Sequence, residues 1–168
     1  LSDYAKGVLS ETLCQAVISE ARRAGIPVLV DPKGRDYTKY RGATALTPNK
    51  KETSEACGID IQNTDGLLKE ADSLRQQLQL DFLAVTRGEE GISLLEEGQQ
   101  PLHIPASAQQ VFDVSGAGDT VIATLAAGLM AGLDHAQALQ LANLAAGVVV
   151  GKVGTVPIAR QELLHELA

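Results

Sequence analysis

The sequence predicts an α/β fold: a mostly parallel sheet flanked by helices, with an antiparallel edge. Three observations lead there. Through the first half, short apolar runs ending in turn residues alternate with segments of helical spacing, the pattern of parallel strands joined by helices. The runs 92–95, 102–104 and 110–112 then succeed one another with only turn residues between them, which suits an antiparallel edge. Two segments rich in Ala and Gly close the pattern as helices that can pack tightly. At 168 residues the chain is long enough for one core and too short for two ordinary domains, so residues 1–168 are expected to share a single core.

Each element has its own signal. Leu9, Leu13, Ala16, Val17 and Ala24 recur at helical spacing, with Ser10 as the cap and Gly25 as the stop. Ile26 to Val30 is a β-branched run closed by Asp31-Pro32 and reads as a buried strand. Ala43 to Leu46 is a second strand, ended by Pro48, and a short helix is expected from Asn49. Leu67, Ala71, Leu74 and Leu78 mark a further helix, and Phe82 to Thr86 a strand. Ile92 to Leu95, Leu102 to Ile104 and Gln110 to Phe112 form the edge strands. Helices follow at about 117–131 and 135–151, with a short one from Gln161 to Leu167. Leu1-Ser2-Asp3 reads as the end of a strand.

Composition excludes several classes. The chain is 45% hydrophobic and 21% charged, as a globular protein is, and its few aromatic residues leave the core to Leu, Val, Ile and Ala. A net charge of −7 argues against a nucleic-acid or anionic-membrane surface, so any phosphate site must be local. No stretch has the length of a membrane span and no signal-peptide pattern opens the chain. Cys14 and Cys57 supply no disulfide framework; Cys14 lies in an apolar helical pattern and is expected to be buried, and a reducing cytoplasm fits. His103, His135 and His165 lack metal-ligand spacing.

The most informative segment is Asp113-Val-Ser-Gly-Ala-Gly-Asp-Thr120, where a loop turns into a helix. Backbone N–H groups at Gly116, Ala117 and Gly118 would face outward at the positive end of the helix dipole, and small residues allow an anion close approach. A carboxylate at Asp119 would repel a resting phosphate. It suits a base that deprotonates a hydroxyl attacking a phosphoryl group. A plain glycine turn with Asp119 in the first helical turn remains an alternative. A dinucleotide loop would need a third glycine where Val121 stands, and no Gly-Lys-Ser/Thr of a P-loop occurs.

This octapeptide resembles the C-terminal signature of the ribokinase (PfkB) carbohydrate kinases, with Ser115 where that family usually has Thr. Leu1-Ser-Asp-Tyr-Ala-Lys-Gly7, Val30-Asp-Pro-Lys-Gly34, Tyr40-Arg-Gly-Ala-Thr44, Leu46-Thr-Pro-Asn49 and Ala142-Asn-Leu-Ala-Ala-Gly-Val-Val-Val-Gly-Lys152 are similar to the heptose-7-phosphate kinases of that family, which are joined to an adenylyltransferase domain. The resemblance runs along essentially the whole chain. It implies a partial Rossmann-like ribokinase fold, corresponding to the C-terminal, nucleotide-binding portion, without the N-terminal half and its sugar-binding lid. The implied reaction is ATP- and Mg²⁺-dependent phosphorylation of D-glycero-D-manno-heptose 7-phosphate at the anomeric hydroxyl. The product would be the 1,7-bisphosphate used in ADP-heptose and lipopolysaccharide core synthesis. Asp119 would be the base and Gly116, Ala117 and Gly118 the anion hole. The implied partners are the sugar phosphate, the N-terminal half, the adenylyltransferase domain and further copies in a homo-oligomer. The chain alone is expected to be inactive, as a nucleotide-binding or structural fragment; a kinase for another sugar phosphate is the further alternative.

Other positions could serve this chemistry. Asn49 and Glu52 share a helix face at i, i+3, and oxygen ligands suit Mg²⁺. Asn49-Lys50-Lys51-Glu52 resembles the family's Asn-x-x-Glu motif, which implies magnesium and phosphate handling, with Glu52 reaching the metal through water. On spacing alone, Asn49 as a cap and Glu52 as a first-turn residue account for the pair. Asp31 and Lys33 stand at the C-terminal end of a parallel strand, where open α/β sheets bind ligands; Lys33 could meet a phosphate, or simply be solvated. Asp3 and Lys6 hold a similar place. Arg35, Lys39 and Arg41 form a basic cluster that reads as a solvated loop. The resemblance places Thr86, Arg87 and Gly88 near the ribose and phosphates of ATP. It makes Asn143, Ala146, Gly147 and Val150 an adenine-side wall, where tight helix packing is the alternative reading.

Overall fold

The computed structural model describes residues 1–59, 64–107 and 111–167. They form two compact units, Leu1–Thr86 with Ser93–Leu102, and Arg87–Ile92 with His103–Ala168. Five strands lie in the order β1 (Leu29–Val30), β2 (Ala45–Leu46), β3 (Phe82–Thr86), β4 (Ile92–Glu96) and β5 (Leu102–Ile104). The first three are parallel, with Leu29 beside Ala45 and Ala45 beside Phe82, and the last two form the antiparallel edge. Leu1–Asp3 extends the parallel set: Ser2 bridges Asp31, the Asp3 amide donates to the Asp31 carbonyl, and the Asp31 amide to the Leu1 carbonyl.

In the first unit, α1 (Glu11–Arg23) starts where the Ser10 hydroxyl accepts the Leu13 amide at 3.2 Å. Its buried residues are Cys14 and Ile18, while Leu13 and Val17 are 41% and 37% exposed, so the inward stripe is one position on from the expected one. β1 is shorter than Ile26 to Val30. The Ile26 amide is spent on the Ala21 carbonyl, Pro27 has no N–H, and the Val28 amide goes to the Thr44 hydroxyl. β2 likewise begins at Ala45, not Ala43, whose amide closes a turn onto Tyr40. α2 (Lys50–Cys57) and α3 (Thr64–Gln77) follow, and β3 has the expected bounds. Val30, Leu46, Leu83 and Val85 meet Cys14, Ile18, Tyr37, Tyr40, Leu68 and Ala71 in one buried cluster. Leu29, Ala45, Phe82 and Ala84 are buried too, as residues of parallel strands are on both faces.

In the second unit, α4 (Ala117–Met130) and α5 (His135–Val150) are joined by a turn with Gly132 at φ 88°. The two helices approach so closely that a Cβ on Gly128 would lie 3.0 Å from the Ala138 methyl, the contact that small residues allow. Asp134 and Gln137 close a capping box on α5. α6 (Arg160–Glu166) ends the pattern. Of the expected strand at 110–112, Gln110 lies outside the described residues. Val111 and Phe112 are not strand: both are exposed, and the amides of Phe112 and Asp113 donate to the Val150 carbonyl at the end of α5. Among the described residues no helix is long and apolar enough to cross a membrane.

Candidate active site

In the first unit, the candidate residues gather at the C-terminal ends of the parallel strands. Asn49 is the N-cap of α2: its Oδ1 accepts the Glu52 amide and its own amide donates to Glu52 Oε2, each at 2.9 Å. Asn49 also bridges Thr86, which ties α2 to the end of β3. The capping reading of Asn49 and Glu52 is therefore realised in full. It consumes one oxygen of the Glu52 carboxylate and leaves the other for a cation. That oxygen, Oε1, lies 2.5 Å from Lys33 Nζ.

Both partners of this ion pair are held by their backbones. The Tyr40 hydroxyl oxygen accepts the Lys33 amide at 3.4 Å, and the Tyr37 hydroxyl donates to the Glu52 carbonyl at 3.3 Å. The two rings are 5.9 Å apart, and burial pushes both phenols well above their ordinary range, so they stay protonated donors. The hydrogen bond to Glu52, reinforced by its charge, raises the Lys33 pKa. Lys51 instead lies 3.9 Å from Glu55 along the exposed face of α2, and Lys50 is half-buried. Asp31 is occupied through its backbone in the pairing with Leu1–Asp3.

Lys39 is not simply a solvated member of a basic loop. Its ammonium donates to Asp3 Oδ2 at 2.6 Å and stands 5.0 Å from the centre of the Tyr40 ring. The Tyr40 hydroxyl donates to the same carboxylate oxygen, and the Ala5 amide donates to Asp3 Oδ1 at 2.7 Å. Asp3 is thus a buried anchor of the loop that carries Tyr40 and, through it, Lys33. Sequence reasoning left Asp3 open; the 36 positions that separate Asp3 from Lys39 hide the pair from any local pattern.

In the second unit, Gly116 is the N-cap of α4, at φ 80°, and Asp119 is an exposed residue of the first turn. The Ala117 amide donates to the Val114 carbonyl at 3.2 Å. Ala117 therefore does not present the open donor expected of it, because the turn that precedes the helix closes on it. The amides of Gly116 and Gly118 have no acceptor among the described residues. A residue without an assigned role from sequence holds this loop. Asp113 Oδ1 accepts the Ser115 amide at 2.9 Å, and Oδ2 accepts the Gly154 amide at 3.0 Å. The amide and side chain of Ser115, and then the Gly154 amide, depress the Asp113 pKa. The Asp-x-Ser spacing signals the first contact, an Asx turn; nothing local signals the second, 41 residues away.

Arg87 and Gly88 belong to the second unit, in a 3₁₀ turn after β3. The Arg87 side chain is 8% exposed; Nη1 donates to Glu90 Oε2 at 2.8 Å and Nη2 to the Glu90 carbonyl at 3.2 Å. Its buried Nε has no acceptor among the described residues. Asn143 donates from Nδ2 to the Pro105 carbonyl at 2.8 Å, and its carbonyl accepts the Ser107 hydroxyl at 3.1 Å. Asn143 thus fastens the 105–107 segment to α5, while Ala146 and Gly147 are half-buried.

A glycine-headed helix with an acidic first turn, and a second helix that opens on Asn49 and Glu52, are features compatible with phosphoryl transfer. The family comparison agrees: the description "pfkB family carbohydrate kinase" matches residues 1–161. The chain belongs to the pfkB family of carbohydrate kinases.

Among curated relatives, the bifunctional protein HldE of Methylobacillus flagellatus is 66% identical over 99% of this chain, and that of Magnetococcus marinus 62% over 97%. The chain spans about a third of the length of these relatives, 34% in each case. Among solved structures, the ribokinase of Arabidopsis thaliana complexed with ribose and ATP matches with a TM-score of 0.83. It is 27% identical, over 94% of this chain and 53% of that one. Phosphofructokinase-2 from Escherichia coli, in complex with potassium, has a TM-score of 0.81 over 93% of this pfkB chain and 51% of its own. At 17% identity it speaks to the fold.

Proposed function

We propose that this pfkB chain forms the nucleotide side of a heptose-phosphate kinase. In this reading the anomeric hydroxyl of D-glycero-D-manno-heptose 7-phosphate attacks the γ-phosphorus of ATP, Asp119 takes the hydroxyl proton, and the 1,7-bisphosphate and ADP are released. The observation that carries the reading is Asp119 in the first turn of α4, three residues after a left-handed Gly116, in a pfkB-family chain. A carboxylate there can accept a proton while the open amides of Gly116 and Gly118 donate to charge developing on the phosphoryl oxygens. The Asp113 clasp on Ser115 and Gly154 keeps those amides aimed without reorganisation during the reaction.

The heptose assignment is supported by the motifs at residues 1–7, 30–34 and 40–49 and by the 66% identity to a bifunctional HldE. Once a phosphatase has removed the 7-phosphate from its product, such a kinase would leave the 1-phosphate for a joined adenylyltransferase, on the route to ADP-heptose and lipopolysaccharide. The donor set fits a divalent cation, since Glu52 offers a carboxylate oxygen where the Lys33 ammonium already sits. Bound there through water, Mg²⁺ would neutralise phosphate charge. Glu52 would orient its water shell, Lys33 and the Arg87–Gly88 turn would serve the nucleotide phosphates, and Asn143 and Ala146 the base.

The test is Asp119→Asn in the full-length protein, assayed for ADP release with heptose 7-phosphate beside other sugar phosphates. The expected result is a fall in kcat of roughly 10²–10⁴ with nucleotide affinity retained, because the amide keeps the shape and loses the basicity. Near-wild-type turnover would remove Asp119 from the mechanism. Equal turnover of unrelated sugar phosphates by the unmodified enzyme would remove the heptose assignment.

A further inference from the structure

Lys33 and Glu52 are not a casual surface pair. Each is preset by a buried tyrosine, Tyr40 on the Lys33 amide and Tyr37 on the Glu52 carbonyl. The Glu52 side chain is 13% exposed and Lys33 is half exposed, so the carboxylate is partly desolvated while the ammonium can still swing out. The Glu52 carboxylate has no idle oxygen, because Oε2 holds the cap of α2 and Oε1 holds Lys33. A metal-bound water that uses Oε1 must displace or share with an ammonium at 2.5 Å. Two cations at one carboxylate oxygen repel each other, and that repulsion falls when phosphates bring their own negative charge.

We propose that Lys33 is a built-in competitor for the divalent cation at Glu52, making metal binding at this position depend on the nucleotide. Without nucleotide the ammonium neutralises Glu52 and keeps a divalent ion weakly bound. When nucleotide phosphates arrive, the Lys33 ammonium swings to pair with them and leaves Oε1 to the metal's water shell. Lys33 is on this account a positioning residue that links two ligands. The inference rests on the reading of Glu52 as the metal-side carboxylate, but it needs neither the heptose nor turnover to be tested.

The experiment is a Mn²⁺ titration followed by electron paramagnetic resonance, on the full-length protein without nucleotide. Four proteins are compared: unmodified, Lys33→Met, Lys33→Arg and Lys33→Met/Glu52→Gln. Removal of the competitor should tighten Mn²⁺ binding by roughly 5–30-fold in Lys33→Met, the effect of losing one close, partly exposed charge. Lys33→Arg should stay near the unmodified protein, because its guanidinium can still occupy Oε1. The double variant should lose the gain, since the amide that replaces the Glu52 carboxylate carries no charge.

Unchanged Mn²⁺ affinity in Lys33→Met overturns the proposal. So does a gain that survives Glu52→Gln, or the absence of Mn²⁺ binding in both the unmodified protein and Lys33→Met. Failure of the heptose reading would register separately, as loss of sugar specificity with the Mn²⁺ pattern intact.

Discussion

Replacing Gly91 by Ala should be among the most damaging single-methyl changes in this chain, and Gly98 provides its control. Both glycines have positive φ, 87° and 69°. At Gly91 ψ is −136°, in a region essentially reserved for glycine, where a side chain costs about 1–3 kcal/mol. The added Cβ would also stand 2.0 Å from the Ile104 carbonyl oxygen, 2.6 Å from the Ala106 nitrogen and 2.7 Å from the Pro105 carbonyl carbon. All three are backbone atoms, so no rotamer change relieves the contact. A normal carbon–oxygen approach is about 3.3 Å, so the 104–106 segment must shift by roughly 1 Å. Overpacking of this kind costs about 1–3 kcal/mol more. Gly91→Ala should therefore lose about 2–6 kcal/mol.

At Gly98 a Cβ meets nothing within 4 Å, and Gly98→Ala should lose only the backbone penalty, about 1–2 kcal/mol. Urea denaturation of the two variants in the full-length protein measures the difference. Because Asn143 is fastened to Pro105 and Ser107, nucleotide affinity should fall with Gly91→Ala and hold with Gly98→Ala. Equal destabilisation by the two substitutions would refute the steric argument.

Gly116→Ala combines φ 80° with a Cβ 2.8 Å from Thr155 Cγ2, a side-chain methyl. It should cost about 1–3 kcal/mol, and adding Thr155→Ser should restore the steric share but not the backbone share; a double variant as unstable as the single one in thermal melts would locate the strain elsewhere. At Asp3, burial pushes the carboxyl pKa up, but hydrogen bonds from Lys39, Tyr40 and the Ala5 amide outweigh it and hold the group below its ordinary 3.8. A depressed carboxylate stabilises the fold above its unfolded pKa and ceases to as pH falls through the folded one, so this contribution should be constant above about pH 5, begin to fall near the ordinary 3.8 and be lost only as pH drops through the lower folded value. Asp3→Asn should flatten that acid limb in urea melts, and superimposable acid limbs would remove Asp3 from it.

Much of this fold was legible because its signals are local. β3 is a five-residue apolar run whose limits follow from Asp81 before it and Arg87-Gly88 after it. Ser10, Asn49 and Asp134 cap the helices they precede, as their hydroxyl, amide and carboxylate oxygens allow. The errors have local causes too. Val111 and Phe112 have strand-like side chains, but the carbonyl that accepts the Phe112 amide is Val150 at a helix end, which periodicity cannot foresee. Leu13 and Val17 satisfied a helical spacing that Cys14 and Ile18 satisfied equally well, and burial chose the latter. What the sequence could not convey was the set of contacts that preset the site. Lys33–Glu52, Lys39–Asp3 and Asp113–Gly154 join residues 19, 36 and 41 positions apart, and each depends on a folded backbone to bring it together.

Those long-range contacts also change how the motif at Asn49 should be understood. A capping role and a metal role look like competitors when only the spacing is known. In the folded chain the cap uses one oxygen of the carboxylate, and the proposed metal role would use the other. The cap takes Oε2 and thereby fixes the rotamer of Glu52, so that Oε1 is presented in one direction to a cation. A Glu without the Asn49 partner would have to lose rotamer entropy on binding, up to roughly 1.5–2 kcal/mol, before any interaction with a metal's water shell counted. The same logic holds at Asp113, where an Asx turn that any loop could use also leaves a second oxygen to anchor Gly154 beside the helix start. In both places local capping chemistry would supply the preorganisation that the proposed phosphoryl transfer needs, which is why a residue that accounts for the fold is no weaker a candidate for the reaction.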